Sequence, residues 1–270
     1  MRVVATIDDL RGALTPRPSG AVGFVPTMGA LHAGHAALFD AARRQCGCVV
    51  ASVFVNPAQF GDPADLAAYP RDLDRDADVA GAAGVDILFA PSASELYPAG
   101  FATWIEPEGA AREMEGAHRP GHFRGVATIV LKLFGIVEPD VAFFGQKDAQ
   151  QVAVVSQMVR DLNVNVRLAV VPTVRDADGV ALSSRNARLS AADRARARAI
   201  PRALEAGVAA YRADGDPIAA ARRALDGLDV DYVQLADFPT GQTLALAVRI
   251  GGTRLIDNIP LSKHGGDVIG

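Results

Sequence analysis

The chain of 270 residues has two cysteines, one tryptophan and four tyrosines, and its formal net charge at pH 7 is only −4. Each scarcity closes a class of function. Cys46 and Cys48 have no second pair to complete a four-thiolate zinc site, so they read as reduced, structural thiols of a cytoplasmic protein. So small a charge leaves no electrostatic footprint for nucleic acid. The longest apolar run, around Val49 to Val55, is far too short to cross a bilayer, and no membrane partner is expected. The N-terminus meets acids at Asp8 and Asp9 and lacks an apolar core of signal-peptide length, so export is not expected. Two nucleotide fingerprints are also missing. No Gly-x-Gly-x-x-Gly follows a strand, which removes support for nicotinamide chemistry. Gly29 to Gly34 has P-loop spacing but continues with His35-Ala36, where that loop needs Lys and Ser/Thr.

What is present is ordinary globular composition, 50% hydrophobic and 21% charged, in a chain long enough for two modest domains. Ala21 to Val25 suits a buried strand, and Leu31, Leu38, Phe39 and Ala42 recur at helical spacing. Val25-Pro26-Thr27-Met28-Gly29-Ala30-Leu31-His32-Ala33-Gly34-His35 therefore reads as strand, turn and helix start. The first-turn N–H groups of a helix lack intrahelical partners and carry partial positive charge, so this turn is expected to bind phosphate through its main chain. His32 and His35, three residues apart, share one helix face beside that anion.

Three further junctions carry polar groups. After the β-rich run Cys48 to Val55 come Asn56 and Gln59, at a strand's carboxyl end where open parallel sheets bind ligands. After the strand Val141 to Phe144 comes Gly145-Gln146-Lys147-Asp148, where Lys147 can meet phosphate and Gln151 follows one turn on. After the strand Val166 to Val171 comes a polar loop holding Ser183-Ser184-Arg185, two hydroxyls and a guanidinium suited to phosphate. The acids Asp72, Asp74, Asp76 and Asp78 read as a solvated helix face. Pro98 to Gly125, with little periodicity, reads as a long mobile loop in which Arg119 and Arg124 suit a polyphosphate. A helix from Val126 to Val137 stops at Glu138-Pro139. From Ser190 the sequence suggests helices broken at Pro201 and restarted at Asp216-Pro217, then three strands. The fold class is α/β: a Rossmann-like, mostly parallel sheet with helices on both faces, followed by a smaller α+β domain. The boundary falls near Thr173, giving domains 1–173 and 174–270.

In order along the chain stand Pro-Thr-Met-Gly-Ala-Leu-His-x-Gly-His, Phe-Val-Asn-Pro-x-Gln-Phe, Tyr69-Pro70-Arg71, Arg119-Pro120-Gly121-His122-Phe123, Phe144-Gly145-Gln146-Lys147-Asp148 with Gln150-Gln151, and Ser183-Ser184-Arg185-Asn186. Together they resemble the pantoate–β-alanine ligases, the pantothenate synthetases of the nucleotidylyltransferase superfamily with a His-x-Gly-His signature. The resemblance implies ATP-dependent joining of (R)-pantoate to β-alanine through a pantoyl-adenylate, with Mg²⁺ carried on the nucleotide, in a cytoplasmic homodimer whose smaller second domain acts as a lid. It implies His35 as proton donor, with His32 and Lys147 also catalytic. ATP contacts fall on Met28, Gly29, Ala30, Leu31, His32, Ala33, Gly34 and His35, on Gly145, Gln146, Lys147 and Asp148, and on Val174, Leu182, Ser183, Ser184 and Arg185. Gln59 would hold pantoate and β-alanine and Gln151 would hold pantoate, with Asn56 and Arg119 beside the substrates. Gln146 stands where many relatives have Glu, and Asp76 matches an acidic position near the family's proposed metal environment. Metal ligands stay unassigned. The rival readings are a nucleotidylyltransferase with another acceptor, and an aminoacyl-tRNA synthetase-like or non-catalytic ligand-binding relative.

Overall fold

Six strands, β1 Arg2–Val4, β2 Val22–Thr27, β3 Cys48–Val53, β4 Ile87–Phe89, β5 Val141–Gly145 and β6 Arg167–Val171, pair only in parallel, in the order β1-β4-β3-β2-β5-β6. They belong to a computed structural model that describes residues 1–262; the last residues of the expected second domain, 263–270, lie outside the described ones. The chain divides into two compact units, Met1–Gly145 with Gln150–Val171, and Gln146–Ala149 with Pro172 onward.

In the first unit the strands are separated by α1 Ile7–Ala13, α2 Ala33–Gln45, α3 Pro63–Ala67, α4 Leu73–Ala82, α5 Ala93–Leu96, α6 Glu115–His118, α7 His122–Val137 and α8 Ala149–Asp161. Alternate strand residues feed two cores, because successive side chains of a strand point to opposite faces. Val22, Phe24, Val50, Phe89, Ala142 and Phe144 pack with Leu10 of α1 and with apolar residues of α7 and α8. Val25, Val49, Ala51, Leu88 and Phe143 pack with Leu38, Phe39 and Ala42 of α2 and Ala80 of α4. Helices thus cover both faces. Phe134 of α7 meets Phe24 and Phe144 edge to face at 6.4 and 6.5 Å, and Phe24→Ala would cost about 3–5 kcal/mol.

β2 lies between β3 and β5. Strands added in one direction run outward through β3 and those added in the other through β5, so the order reverses at β2. The carboxyl end of β2 is therefore a topological switch point, the place where open parallel sheets bind ligands.

In the second unit β7 Asp229–Phe238, β8 Gly241–Ile250 and β9 Thr253–Pro260 form an antiparallel sheet. Gly251 and Gly252 both take positive φ, 56° and 76°, which is what a two-residue hairpin turn matching strand twist demands. Helices α9 Ala191–Ala197, α10 Ala199–Arg212 and α11 Pro217–Ala224 supply Ala197, Ile200, Leu204 and Ala221 to a core shared with Val233, Leu244, Leu246 and Val248.

Four expectations need correction. β1 and α1 were not anticipated; β1 is three residues long and pairs only with β4, too short for a periodic signal. Pro201 does not break a helix, because it lies in the first turn of α10, where its missing N–H costs nothing. The stretch 98–125 is not a structureless loop. The Gln150 side chain accepts from the Glu115 N–H at 3.0 Å and donates to the Ala110 and Glu113 carbonyls at 2.7 Å each, while Tyr97, Phe101 and Trp104 pack ring on ring. Finally, Gln146–Ala149 belongs to the second unit, since Asn258 of β9 holds the carbonyls of Gln146 and Lys147 at 2.9 and 2.8 Å.

Candidate active site

The turn after β2 is bonded at nearly every main-chain N–H. The Thr27 hydroxyl donates to the Ser52 carbonyl at 2.6 Å and accepts from Gly29 N–H at 3.2 Å. Gly29 has φ +83°, and a Cβ there would lie 2.7 Å from Asp76 Oδ2 and 2.9 Å from Val53 Cγ1. Only glycine fits that space. Ala30 also takes a positive φ, 52°, a strained conformation that persists only where the surroundings impose it. The Asp76 carboxylate imposes it, accepting from Ala30 N–H at 2.9 Å and Leu31 N–H at 2.7 Å.

The solvated-acid reading of Asp76 is therefore wrong. Asp72, Asp74 and Asp78 are exposed, whereas Asp76 is 1% exposed. Asp76 and Ala80 are four apart on α4 and share its inward face. That spacing, an acid within an apolar stripe, was the available signal.

His32 caps α2. Its Nδ1 accepts from Gly34 N–H at 3.1 Å, its carbonyl from His35 and Ala36 N–H at 2.8 and 3.1 Å, and its own N–H donates to His35 Nδ1 at 3.2 Å. This is the reciprocal capping box of a Ser/Thr-x-x-Glu start built from two histidines. The rings lie 4.1 Å apart, centroid to centroid. The expectation that unpaired main-chain N–H groups receive phosphate is corrected accordingly. The main chain is largely satisfied by His32, His35, Asp76 and Thr27.

The next strand end in the sheet is β3, joined to the turn by Phe54 N–H donating to Thr27 O at 3.1 Å. Here Asn56 is 1% exposed and fully engaged. Its Nδ2 donates to Gln59 Oε1 at 3.0 Å and Gly125 O at 3.1 Å, and its Oδ1 accepts from the Tyr97 hydroxyl at 2.9 Å and Ala58 N–H at 3.3 Å. Burial pushes the Tyr97 hydroxyl up to about 12, with the bond to Asn56 pulling the other way. Because Gln59 Oε1 is taken, its Nε2 is the end left to donate. The Gln59 carbonyl meets His122 Nδ1 at 3.0 Å and Arg119 at 3.4 Å, and Arg119 also reaches His122 Nε2 at 3.1 Å and Glu115 at 3.5 Å. Arg119 is thus embedded in a protein network. Arg124, read as suited to polyphosphate, lies over the Trp104 ring at 4.2 Å and pairs with Glu106 at 3.0 Å. Gln151 is half-buried on α8, next to the structural Gln150.

In the second unit, Gln146 Nε2 donates to Asn258 Oδ1 at 3.1 Å. A Glu carboxylate could not do that, so the departure at Gln146 is matched by Asn258. Lys147 Nζ lies 3.5 Å from Asp148. Val174 and Leu182 are bonded across a short hairpin, Leu182 N–H to Val174 O at 3.0 Å. Arg175 clamps that hairpin to β9 through Asp257, 1% exposed for its side chain, at 2.6 and 3.1 Å. Ser183 caps the following turn, its Oγ accepting from Arg185 N–H at 3.3 Å, which leaves the hydroxyl proton for a ligand. Ser184 and Arg185 follow in the same turn. Burial raises the Asp178 carboxyl, but the Val180 N–H and Arg194 outweigh it and hold it below the ordinary carboxylate range.

Among the described residues no group of three or more His, Cys, Asp or Glu could hold a metal ion, and no helix is long and apolar enough to cross a membrane. The two cysteines are buried and unbridged.

The family described as pantoate-beta-alanine ligase matches residues 2–260. A pantothenate synthetase from Herpetosiphon aurantiacus is 50% identical, over 96% of this chain and 99% of that protein. The crystal structure of pantothenate synthetase from Thermus thermophilus superposes with a TM-score of 0.91 at 48% identity, covering 96% of this chain and 99% of that one. A pantoate-beta-alanine ligase from Francisella tularensis, complexed with beta-gamma ATP and beta-alanine, has a TM-score of 0.85 at 36% identity over 96% and 97% of the two chains.

Proposed function

The chain belongs to the pantoate–beta-alanine ligase family, and on that premise we propose that it condenses (R)-pantoate with β-alanine at the expense of ATP, releasing AMP and diphosphate. The observation that carries this reading is the doubly capped histidine turn at the switch point of the parallel sheet, in a chain that matches the family over almost its whole length. In the first step a pantoate carboxylate oxygen attacks the α-phosphorus, the Pα–O bond to diphosphate breaks, and diphosphate leaves with the electron pair. No enzyme nucleophile is required, so catalysis consists of alignment and charge neutralisation. His32, His35, Lys147, Ser183, Ser184 and Arg185 are the donors to the phosphates, and Met28 to His35, Gly145 to Asp148, Val174 and Leu182 complete the ATP contacts. In the second step the unprotonated amine of β-alanine attacks the acyl carbon, AMP leaves, and the nitrogen gives up a proton.

Gln59 and Gln151 hold pantoate. Neutral amides can bond its hydroxyls and carboxylate without locking the nucleophile into an ion pair. The bonds of Asn56 and Arg119 revise their roles from substrate contacts to positioning residues that aim Gln59. Mg²⁺ enters as the counter-ion of ATP and screens phosphate charge when bound. The free, buried cysteines support a cytoplasmic location, and the family likeness supports a homodimer, for which light scattering would give twice the chain mass. The same likeness supports a lid role for the second unit.

The test is AMP release in a coupled assay with ATP, Mg²⁺, pantoate and β-alanine. Steady release requires both acceptors under this reading; no AMP or diphosphate from the complete mixture would reject it.

A further inference from the structure

One side-chain amide of β9 governs the conformation of a single residue elsewhere in the second unit. Asn258 Nδ2 donates to the Gln146 carbonyl at 2.9 Å and to the Lys147 carbonyl at 2.8 Å. Those carbonyls belong to the two rigid peptide planes on either side of the Lys147 Cα, and the setting of the planes is its φ and ψ. Pinning both planes pins the direction in which the Lys147 side chain leaves the main chain. The task calls for a primary amide, since carbonyls only accept and an NH₂ group has one N–H for each. The other end of the amide is fixed too. Asn258 Oδ1 accepts from Gln146 Nε2 at 3.1 Å, and flipping either amide would set oxygen against oxygen. Gln146 keeps this orientation although its Oε1 is then buried without a hydrogen-bond partner. Asn258 is itself 5% exposed, and its N–H is held by Asp257 Oδ1 at 2.8 Å, in the carboxylate that also binds Arg175. By contrast, the ion pair at the tip of Lys147 is loose, 3.5 Å from Nζ to Asp148 Oδ1. The lysine is directed from its root.

We propose that Asn258 is a positioning residue for adenylation that acts through Lys147, holding both flanking peptide planes so that the ammonium is aimed before ATP arrives. The inference rests on the reading above that Lys147 meets the phosphates. Asn258 does not donate to the substrate, because both of its side-chain N–H groups are spent on the main chain. A lysine ammonium rides on a flexible four-carbon stem, and fixing the root of that stem narrows the volume the charge samples. Less ordering is then left for the moment when charge develops on the departing diphosphate, so the gain falls on kcat.

Carbon-13 NMR of the intact chain labelled at lysine Cα reads the main-chain claim directly, because the Cα shift follows φ and ψ. The lysines are Lys132, Lys147 and Lys263, and Lys147→Ala assigns the signal of interest. Asn258→Asp keeps the size of the side chain but offers only acceptors; Asn258→Ser, which buries no charge and keeps one donor at most, serves if the first variant does not fold. In the folded variant the Lys147 signal should move or broaden while that of Lys132 stays. An unmoved Lys147 signal would overturn the proposal. The second arm is a double-mutant cycle in the AMP-release assay. Asn258→Asp should lower kcat by about 10²-fold, the scale of a misplaced catalytic group. In the Lys147→Ala background the same substitution should change kcat by less than about threefold, because the residue it acts through is gone. Loss by the same large factor in both backgrounds would mark Asn258 as merely structural and overturn the proposal, as would a folded single variant with kcat within about threefold of the parent. The NMR arm needs no substrate, so a failed ligation assay and an unpinned Lys147 remain distinguishable.

Discussion

In the first unit the Met28–His35 turn is held by side-chain caps, two imidazoles and a hydroxyl, with one buried carboxylate facing main-chain N–H groups. In the second unit the hairpin from Val174 to Leu182 and its neighbours are held by arginine–aspartate pairs, Arg175 with Asp257, Arg194 with Asp176 and Asp178, and Arg254 with Asp231. Both regions present donors for phosphate under the proposed function, yet they are built differently. Imidazole and hydroxyl caps fix a turn through hydrogen bonds to main-chain N–H groups, without a paired opposite charge. Ion pairs fix a loop firmly only while both partners stay charged, and a buried one becomes a liability once either partner is lost.

The largest effect should come from breaking the buried pair. Arg175→Met leaves Asp257 charged and unpaired in the second unit, and urea unfolding should show a loss of about 3–5 kcal/mol. A loss near that of a surface pair, below about 1 kcal/mol, would remove the contrast. Next in size, His35→Ala and Lys147→Ala should each lower kcat by about 10²–10³-fold, but they should differ in stability. His35→Ala removes a cap and costs about 1 kcal/mol, while Lys147→Ala removes only a half-buried partner of Asp148 and should unfold like the parent. Asp76→Ala comes third: two N–H groups lose their acceptor, costing about 1–3 kcal/mol, and KM for ATP should rise more than KM for β-alanine. Equal changes in both would make Asp76 merely structural.

The smallest effect is in pH, and its sign differs between units. In the second, the carboxyl of Asp231 is raised by burial but lowered further by Arg254 and Arg249, as Asp178 is by the Val180 N–H and Arg194. Folded values below unfolded ones give stability that is present above about pH 4 and lost as pH falls through the folded values. In the first unit, burial pushes the thiols of Cys46 and Cys48 and the Tyr97 hydroxyl up, the last to about 12. Raised values give stability that is present below the unfolded pKa and lost as pH rises toward that range. Asp140, lowered chiefly by the Val22 N–H, is half-exposed and adds a minor acid term to the first unit. Circular dichroism paired with near-ultraviolet absorbance should therefore find the second unit yielding first in acid and the first in alkali.

The parallel sheet was readable because its strands are continuous apolar runs buried on both faces, and α2, α7 and α8 carry long apolar stripes. The short edge strand β1 carries no such signal. The polar turns were readable as locations, not as networks. Asn56, Gln59 and Arg119 were all singled out, but only the contacts among Asn56, Tyr97, Gly125 and Gln59 reveal that Asn56 has nothing left to offer a ligand. Asp76 was misread for the same reason: a charge run is a one-dimensional pattern, and its acceptors, Ala30 and Leu31, lie more than forty residues away in sequence.

The histidine turn as the seat of adenylation can be tested without the second substrate. The protein would be incubated with ATP, Mg²⁺ and labelled diphosphate, with and without pantoate and with β-alanine omitted. The account predicts label returning into ATP only when pantoate is present, and loss of that exchange in His35→Ala. Exchange driven by β-alanine alone, none with pantoate, or undiminished exchange in His35→Ala would contradict it.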